Sequence, residues 1–228
     1  MISCVDVHDR SGFWTRITTF ILLLIYLQVV RGIAAWALRA FFNPGENAVE
    51  SLVLSAVAFL VAGIPAWLLW SPAATELGVG WTGSTRGERA LYIGGGVFLL
   101  GLVVSSLMLD PGVFLSNIYS ALFIPAFEEL LFRGFGWGYI RGGLSGKYAG
   151  WVTGVCITVL FGVWHLGYVD SVLRAVGSHS NPPFLGMVLF FKVLVGVIVG
   201  IMTGLARART GRVFAPFLLH AVWNIFGR

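Results

Sequence analysis

Six ionisable or amide residues inside long apolar stretches of this 228-residue sequence are candidates for chemistry. They are Glu128, Glu129, Arg133, His165, His220 and Asn224. If those stretches lie in lipid, such groups cost free energy and usually have a functional role. A carboxylate and an imidazole can act as general bases, and an amide can donate hydrogen bonds to an oxyanion. The set therefore predicts a hydrolytic site built between helices.

Helical spacing separates the roles of the two neighbouring carboxylates. Glu129 and Arg133 are four residues apart, so they share one helix face and can form an ion pair. Glu128 is rotated by about 100° from Glu129 and has no such partner on its own helix. We therefore predict that Glu129 and Arg133 support the site, whereas Glu128 acts in the chemistry. His220 and Asn224 are also four residues apart and share a face.

Two mechanisms fit these groups. In the first, Glu128 and His165 activate a water molecule that attacks a peptide carbonyl, while His220 and Asn224 stabilise the oxyanion. In the second, Glu128, His165 and His220 bind a zinc ion as a His₂Glu set. The sequence contains neither an HExxH nor a CxxC motif. No cofactor is therefore assigned, and zinc stays an alternative.

The composition indicates that lipid surrounds these residues. Apolar residues make up 57% of the chain and charged residues only 11%, with a mean hydropathy of +0.87. A soluble domain carries about a quarter charged residues. We expect an all-α fold, a polytopic transmembrane helical bundle with a single membrane domain over residues 1–228. The net charge of +5 does not indicate nucleic-acid binding, because the basic residues are scattered between apolar runs.

Seven apolar stretches are candidates for membrane-spanning helices, for which about 20 residues are needed. They are approximately Ile17–Leu38, Val49–Trp70, Ala90–Leu109, Asn117–Trp137, Tyr148–Tyr168, Phe184–Ala206 and Val213–Phe226. An eighth span would change only the ends of this scheme. Glu128 then falls near mid-membrane, but His165 falls late in the fifth span. A shared site therefore needs a kink at Pro125 or a shifted fifth helix.

Lys and Arg are distributed unequally between the two sides of this scheme, nine against three. The larger group is Arg10, Arg16, Arg86, Arg89, Arg141, Lys147, Arg207, Arg209 and Arg212, and the smaller is Arg39, Arg174 and Arg228. The side richer in Lys and Arg faces the cytoplasm. We expect a plasma-membrane protein with a cytoplasmic N-terminus. Lys192, inside the sixth stretch, is expected to extend toward the membrane surface.

Three short motifs follow one another along the second half of the chain. Residues 128–133 match EExxxR, residues 161–165 match FxxxH, and residues 220–224 match HxxxN. In these motifs and their placement on apolar helices, the chain resembles the CPBP family of intramembrane proteases. This family is also called the Abi or CAAX-protease family and includes the type II CAAX prenyl endopeptidases. The resemblance covers a core of approximately residues 117–226.

The resemblance implies an intramembrane endopeptidase in which Glu128 and His165 activate water. It also implies that His220 and Asn224 form the oxyanion site and that Glu129 and Arg133 shape it. Family members are labelled metalloproteases, although a metal-free glutamate mechanism is also argued, so the resemblance leaves the metal open. The implied partners are the lipid bilayer and a membrane-associated peptide or protein substrate, lipidated or not.

Two functions of other classes are alternatives. The first is a non-catalytic membrane immunity or scaffold protein of the same fold, whose polar residues only join helices together. The second is a small transporter or ion channel, since intramembrane carboxylates also serve proton relays. The inverted repeat common in transporters is not visible in the sequence, which disfavours that class.

Overall fold

The computed structural model describes residues 10–44, 48–81, 83–176 and 182–227, and within these ranges it is helical without a β-strand. Six helical stretches are long and apolar enough to cross a membrane: Gly12–Phe42, Val49–Trp70, Arg86–Met108, Pro111–Arg141, Ala149–Leu173 and Phe184–Thr210. A shorter apolar helix, Phe214–Phe226, follows. These helices coincide with the seven expected stretches. The prediction of an all-α, polytopic integral membrane protein is confirmed.

The helices are numbered in chain order. They are α1 (Arg10–Phe42), α2 (Ala48–Trp70), α3 (Ala74–Leu77), α4 (Arg86–Ser105), α5 (Pro111–Asn117), α6 (Ile124–Glu129), α7 (Trp137–Arg141), α8 (Ala149–Trp164), α9 (Val169–Val176), α10 (Pro182–Thr210) and α11 (Phe214–Phe226). Short 3-10 segments, Ser106–Met108 and His165–Tyr168, follow α4 and α8. π-helical segments, Ile118–Phe123 and Leu130–Gly136, lie on either side of α6.

The fourth span changes its helical type several times. It begins at α5, where Asp110 accepts hydrogen bonds from the N–H groups of Gly112 and Val113 at 2.6 and 3.1 Å. Pro125 lies in the first turn of α6, and π-helical turns precede and follow that helix. π-helical turns are rare in proteins as a whole, and many of those that occur lie at functional sites. Pro125 thus begins a helix that carries Glu128 between two π-helical segments, each of which interrupts the regular α-helical geometry of the span.

The fifth span is longer than predicted. Its end moves from Tyr168 to Leu173, because the 3-10 turn after α8 leads directly into α9. His165 therefore lies deeper in the span than the sequence indicated. His165 and Glu128 line the same cavity.

Close helix approach at glycines sets the position of α10 against α8. A Cβ atom at Gly196 would lie 2.7 Å from Nδ1 of His165, and one at Gly200 would lie 3.1 Å from Cγ2 of Thr158. Larger side chains would push α10 away from the fifth span. The strip of small residues thus allows α10 to form one wall around His165.

An aromatic core joins α1 to the fourth and fifth spans. Phe20, Phe132 and Phe161 are fully buried. Phe132 makes edge-to-face contacts with Phe20 and Phe161, with ring centroids 5.8 and 5.1 Å apart. This packing fixes the helix that carries the two carboxylates against the helix that carries His165.

Candidate active site

Four of the six predicted site residues line one cavity of about 600 Å³. They are Glu128, His165, His220 and Asn224. Glu129 and Arg133 lie beside it, and both are fully buried. The convergence of three spans on a common space, which the spacing predicted, is therefore present in the structure.

Two aromatic residues of the fifth span hold the Glu128 carboxylate. Trp164 Nε1–H donates to Glu128 Oε1 at 2.8 Å, and the Tyr168 hydroxyl donates to the same oxygen at 2.5 Å. The side chain of Glu128 is almost completely buried. Hydrogen bonds to a carboxylate are strong, so these two fix its orientation at the cavity.

Neither Trp164 nor Tyr168 was among the site residues predicted from the sequence. The two residues are four apart and therefore lie on one helix face. That spacing, next to the FxxxH motif, is the signal that could have indicated a polar contact for both.

Glu129 forms the predicted ion pair with Arg133. Arg133 donates to Glu129 Oε1 at 3.2 Å, and both side chains have no exposed surface. The guanidinium also donates to the Gly200 carbonyl at 3.2 Å and lies 4.1 Å from the centroid of the Phe161 ring. Arg133 thereby connects the fourth span to α8 and α10. Two further atoms of the buried pair, Glu129 Oε2 and Arg133 Nε, have no hydrogen-bond partner among the described residues, so the pair is satisfied only in part.

The His220 ring lies between the two carboxylates. Its Nδ1 is 2.8 Å from Glu129 Oε1, and its Nε2 is 3.8 Å from Glu128 Oε2. An ionised carboxylate only accepts, so Nδ1 carries the hydrogen and donates it to Glu129. Glu129 therefore sets the tautomer and direction of His220, and Nε2 faces the Glu128 side of the cavity.

A backbone carbonyl orients the second imidazole. His165 Nδ1 lies 2.8 Å from the Phe161 carbonyl oxygen, which can only accept, so Nδ1 donates. In the neutral ring this leaves Nε2 as the acceptor. The FxxxH spacing is the reason for the contact, since a carbonyl four residues earlier lies beneath the ring in a helix.

Asn224 is anchored by one of its two amide hydrogens. Its Nδ2 donates to the Ser120 carbonyl at 2.7 Å, which lies in the first π-helical segment of the fourth span. An amide group has two N–H hydrogens. The second one is available to a ligand in the cavity that Asn224 lines.

Two polar residues of α1 hold the turn that carries Tyr168. Arg31, which is 4% exposed, donates to the Gly167 carbonyl at 2.6 Å and to Asp170 Oδ1 at 3.0 Å. Gln28 donates to the Trp164 carbonyl at 3.1 Å. These bonds satisfy backbone acceptors where α8 changes into the 3-10 turn. The sequence placed Arg31 within an apolar stretch but gave no indication of its partners.

Lys192, which we expected to extend toward the membrane surface, also lines the cavity. Among the cavity-lining residues that the structure describes, it is the only Lys or Arg. The cavity thus combines general-base groups with a cation on its α10 wall.

The described part of the chain contains no cluster of three or more His, Cys, Asp or Glu side chains placed to bind a metal. Glu128 Oε2 and the Nε2 atoms of His165 and His220 keep their lone pairs, because the hydrogen bonds above occupy Glu128 Oε1 and the two Nδ1 atoms. Zinc therefore stays an alternative, and no step of the reaction is derived through a metal.

A cavity inside a helical membrane bundle, lined by a carboxylate, two imidazoles and an amide, is the arrangement expected of a membrane-embedded enzyme. A family model described as Rce1-like, type II CAAX prenyl endopeptidase, matches residues 110–226. This is just over half of the chain, and the chain belongs to that family. The resemblance inferred from the three motifs is confirmed, and the match supports a protease in general. No curated protein and no solved structure matches the chain.

Proposed function

We propose that this protein is an intramembrane endopeptidase of the CAAX-protease type that hydrolyses a peptide bond with a glutamate-activated water. The observation that carries the proposal is the cavity of about 600 Å³ shared by Glu128, His165, His220 and Asn224. Polar groups that only join helices would fill the space between them with their mutual contacts. These groups instead border a space in the size range of ligand sites.

Glu128 is the general base in this mechanism. Because Trp164 and Tyr168 hold Oε1, Oε2 is the oxygen that takes a proton as the water attacks the carbonyl carbon. His165 accepts the second hydrogen bond of that water through Nε2, since its Nδ1–H is committed to Phe161. The two groups together orient and deprotonate the nucleophile.

The negative charge that develops on the carbonyl oxygen needs donors. Asn224 donates its second amide hydrogen, and His220 donates from Nε2 when its ring carries both protons. Collapse of the tetrahedral intermediate breaks the C–N bond, and the proton held by Glu128 passes to the leaving amine. Glu129 and Arg133 act indirectly, by holding His220.

The substrate is a membrane-associated peptide or protein, lipidated or not, because the site lies between spans. We further propose that the enzyme resides in the plasma membrane with its N-terminus in the cytoplasm. The excess of Lys and Arg on the N-terminal side of the spans supports this orientation.

The test has two stages. Comparative proteomics of membranes from cells with the wild-type protein or Glu128→Ala should reveal substrates that accumulate in the variant. Cleavage of such a substrate by purified protein in detergent should then fall by about 10²–10⁴-fold in Glu128→Ala and in His165→Ala. Glu76→Gln is the matched control, since Glu76 is exposed on α3 away from the cavity. Unchanged turnover in both active-site variants would contradict the proposal.

A further inference from the structure

The cavity extends from the proposed catalytic groups toward one end of the bundle. Its lining continues to Tyr119 near the start of the fourth span and to Ser171 near the end of the fifth. It also includes Met187 near the start of the sixth span and Gly227 after the end of α11. Because consecutive spans run in opposite directions, all four positions lie at the same end of the bundle.

The other end of the bundle collects the basic residues. Arg16 near the start of α1 donates to the Tyr139 carbonyl at 2.7 Å, and Arg212 after α10 donates to the Gly80 carbonyl. These contacts join the start of α1 to α7, and the connection after α10 to the connection after α3. The basic residues at this end are Arg16, Arg86, Arg89, Arg141, Lys147, Arg207, Arg209 and Arg212.

The end at which the cavity extends has the opposite character. Glu50, Asp110 and Asp170 lie there, and Asp170 pairs with Arg31 of α1. Arg39 is the only other Lys or Arg near a span end on that side whose side chain the structure describes, because Arg174 and Arg228 lie outside the described side chains. Lys and Arg near span ends remain on the cytoplasmic side during insertion. The basic end therefore faces the cytoplasm, and the cavity faces away from it.

We infer that the active-site cavity receives its substrate from the extracytoplasmic side of the membrane. This inference rests on the proposed function and narrows its substrates to membrane-anchored chains whose scissile segment has been exported. A substrate protein with a lipidated C-terminus in the cytoplasm would approach the basic end of the bundle. Tyr119, Ser171, Met187 and Gly227, which line the outer part of the cavity, lie at the opposite end. The substrate class that the family description names is therefore not the one that this orientation favours.

Thiol labelling in intact cells tests the orientation without a known substrate. In a parent with Cys4→Ser and Cys156→Ala, Ser171→Cys places a thiol at the cavity and Ser145→Cys places one in the connection between α7 and α8. A membrane-impermeant charged maleimide should label Ser171→Cys in intact cells. It should label Ser145→Cys only after permeabilisation.

The reverse labelling pattern would overturn the inference while leaving the proposed hydrolysis untouched. Equal labelling of both variants in intact cells would also overturn it, because the two ends would then not be separated by the membrane. Prior reaction of Ser171→Cys with the reagent in intact cells should lower cleavage of the substrate found by proteomics. If Ser171→Cys is labelled from outside but the purified wild-type protein cleaves no substrate, the proposed function is contradicted and the orientation is not.

Discussion

The two halves of the chain contribute to the site in different ways. All six residues proposed for the chemistry and its support lie in residues 110–226, the segment that the family model matches. The first three spans contribute Gln28 and Arg31, which hold the backbone of the turn beside Glu128 without lining the cavity. Groups that react are recognisable from their type and spacing, whereas groups that position them emerge only from the packed structure.

The largest effect on stability is expected in the matched segment, from Glu129→Gln. This change leaves the fully buried Arg133 without its counter-charge and removes the carboxylate that orients His220. Breaking a buried pair on one side costs about 3–5 kcal/mol. The free energy of unfolding, measured by denaturing-detergent titration, should fall, and turnover should fall with it. A variant as stable as wild type would show that the pair does not support the site.

A smaller but specific effect is expected in the first span, from Arg31→Met. The loss of its bonds to Gly167 and Asp170 should loosen the turn that carries Tyr168. Misplacement of a catalytic group by about 1 Å can cost 10²-fold in rate, so we expect a decrease in kcat of about 10–100-fold with little change in KM.

Arg39→Met is the matched control for this prediction. Arg39 lies on the same helix but donates to Ser51 and Ser55 of α2, away from the turn. If both variants lose the same activity, or if Arg31→Met changes only the unfolding midpoint, Arg31 stabilises the bundle generally and does not position the site.

A still smaller effect is expected from the cation on the cavity wall. Lys192→Met should raise KM for a substrate with an acidic side chain near the scissile bond, because a partly exposed ion pair contributes about 0.2–1 kcal/mol. Kinetics with two peptides that differ only in Glu or Gln at that position measure this contribution. If the ratio of the KM values for the Gln and Glu peptides is the same in wild type and in Lys192→Met, Lys192 does not contact the substrate.

No effect is expected from metal removal. The base and the oxyanion donors of the proposed mechanism are all protein groups that line the cavity. Chelator treatment of the purified protein, followed by elemental analysis and a cleavage assay, should leave turnover unchanged. Loss of activity that returns on addition of zinc would contradict the glutamate mechanism and restore the alternative.

Apolar stretches alone predicted the helices, because a backbone in lipid must satisfy its own hydrogen bonds. The 3.6-residue period also predicted the pairing of Glu129 with Arg133 and the separate direction of Glu128. Hydropathy, however, does not define where a span ends or how a helix is rotated against its neighbours. The partners of Glu128, the length of the fifth span and the contacts of Arg31 therefore required the three-dimensional structure.

The π-helical turns on either side of α6 have a consequence for comparing sequences of this kind. Loss of one residue from Leu130–Gly136 would leave the span almost equally apolar, yet it would rotate every following side chain by about 100° relative to Glu129. A single-residue gap aligned to this segment would therefore mark a change in which groups point toward the site. Such a gap distinguishes relatives that keep the same chemistry from those that keep only the scaffold.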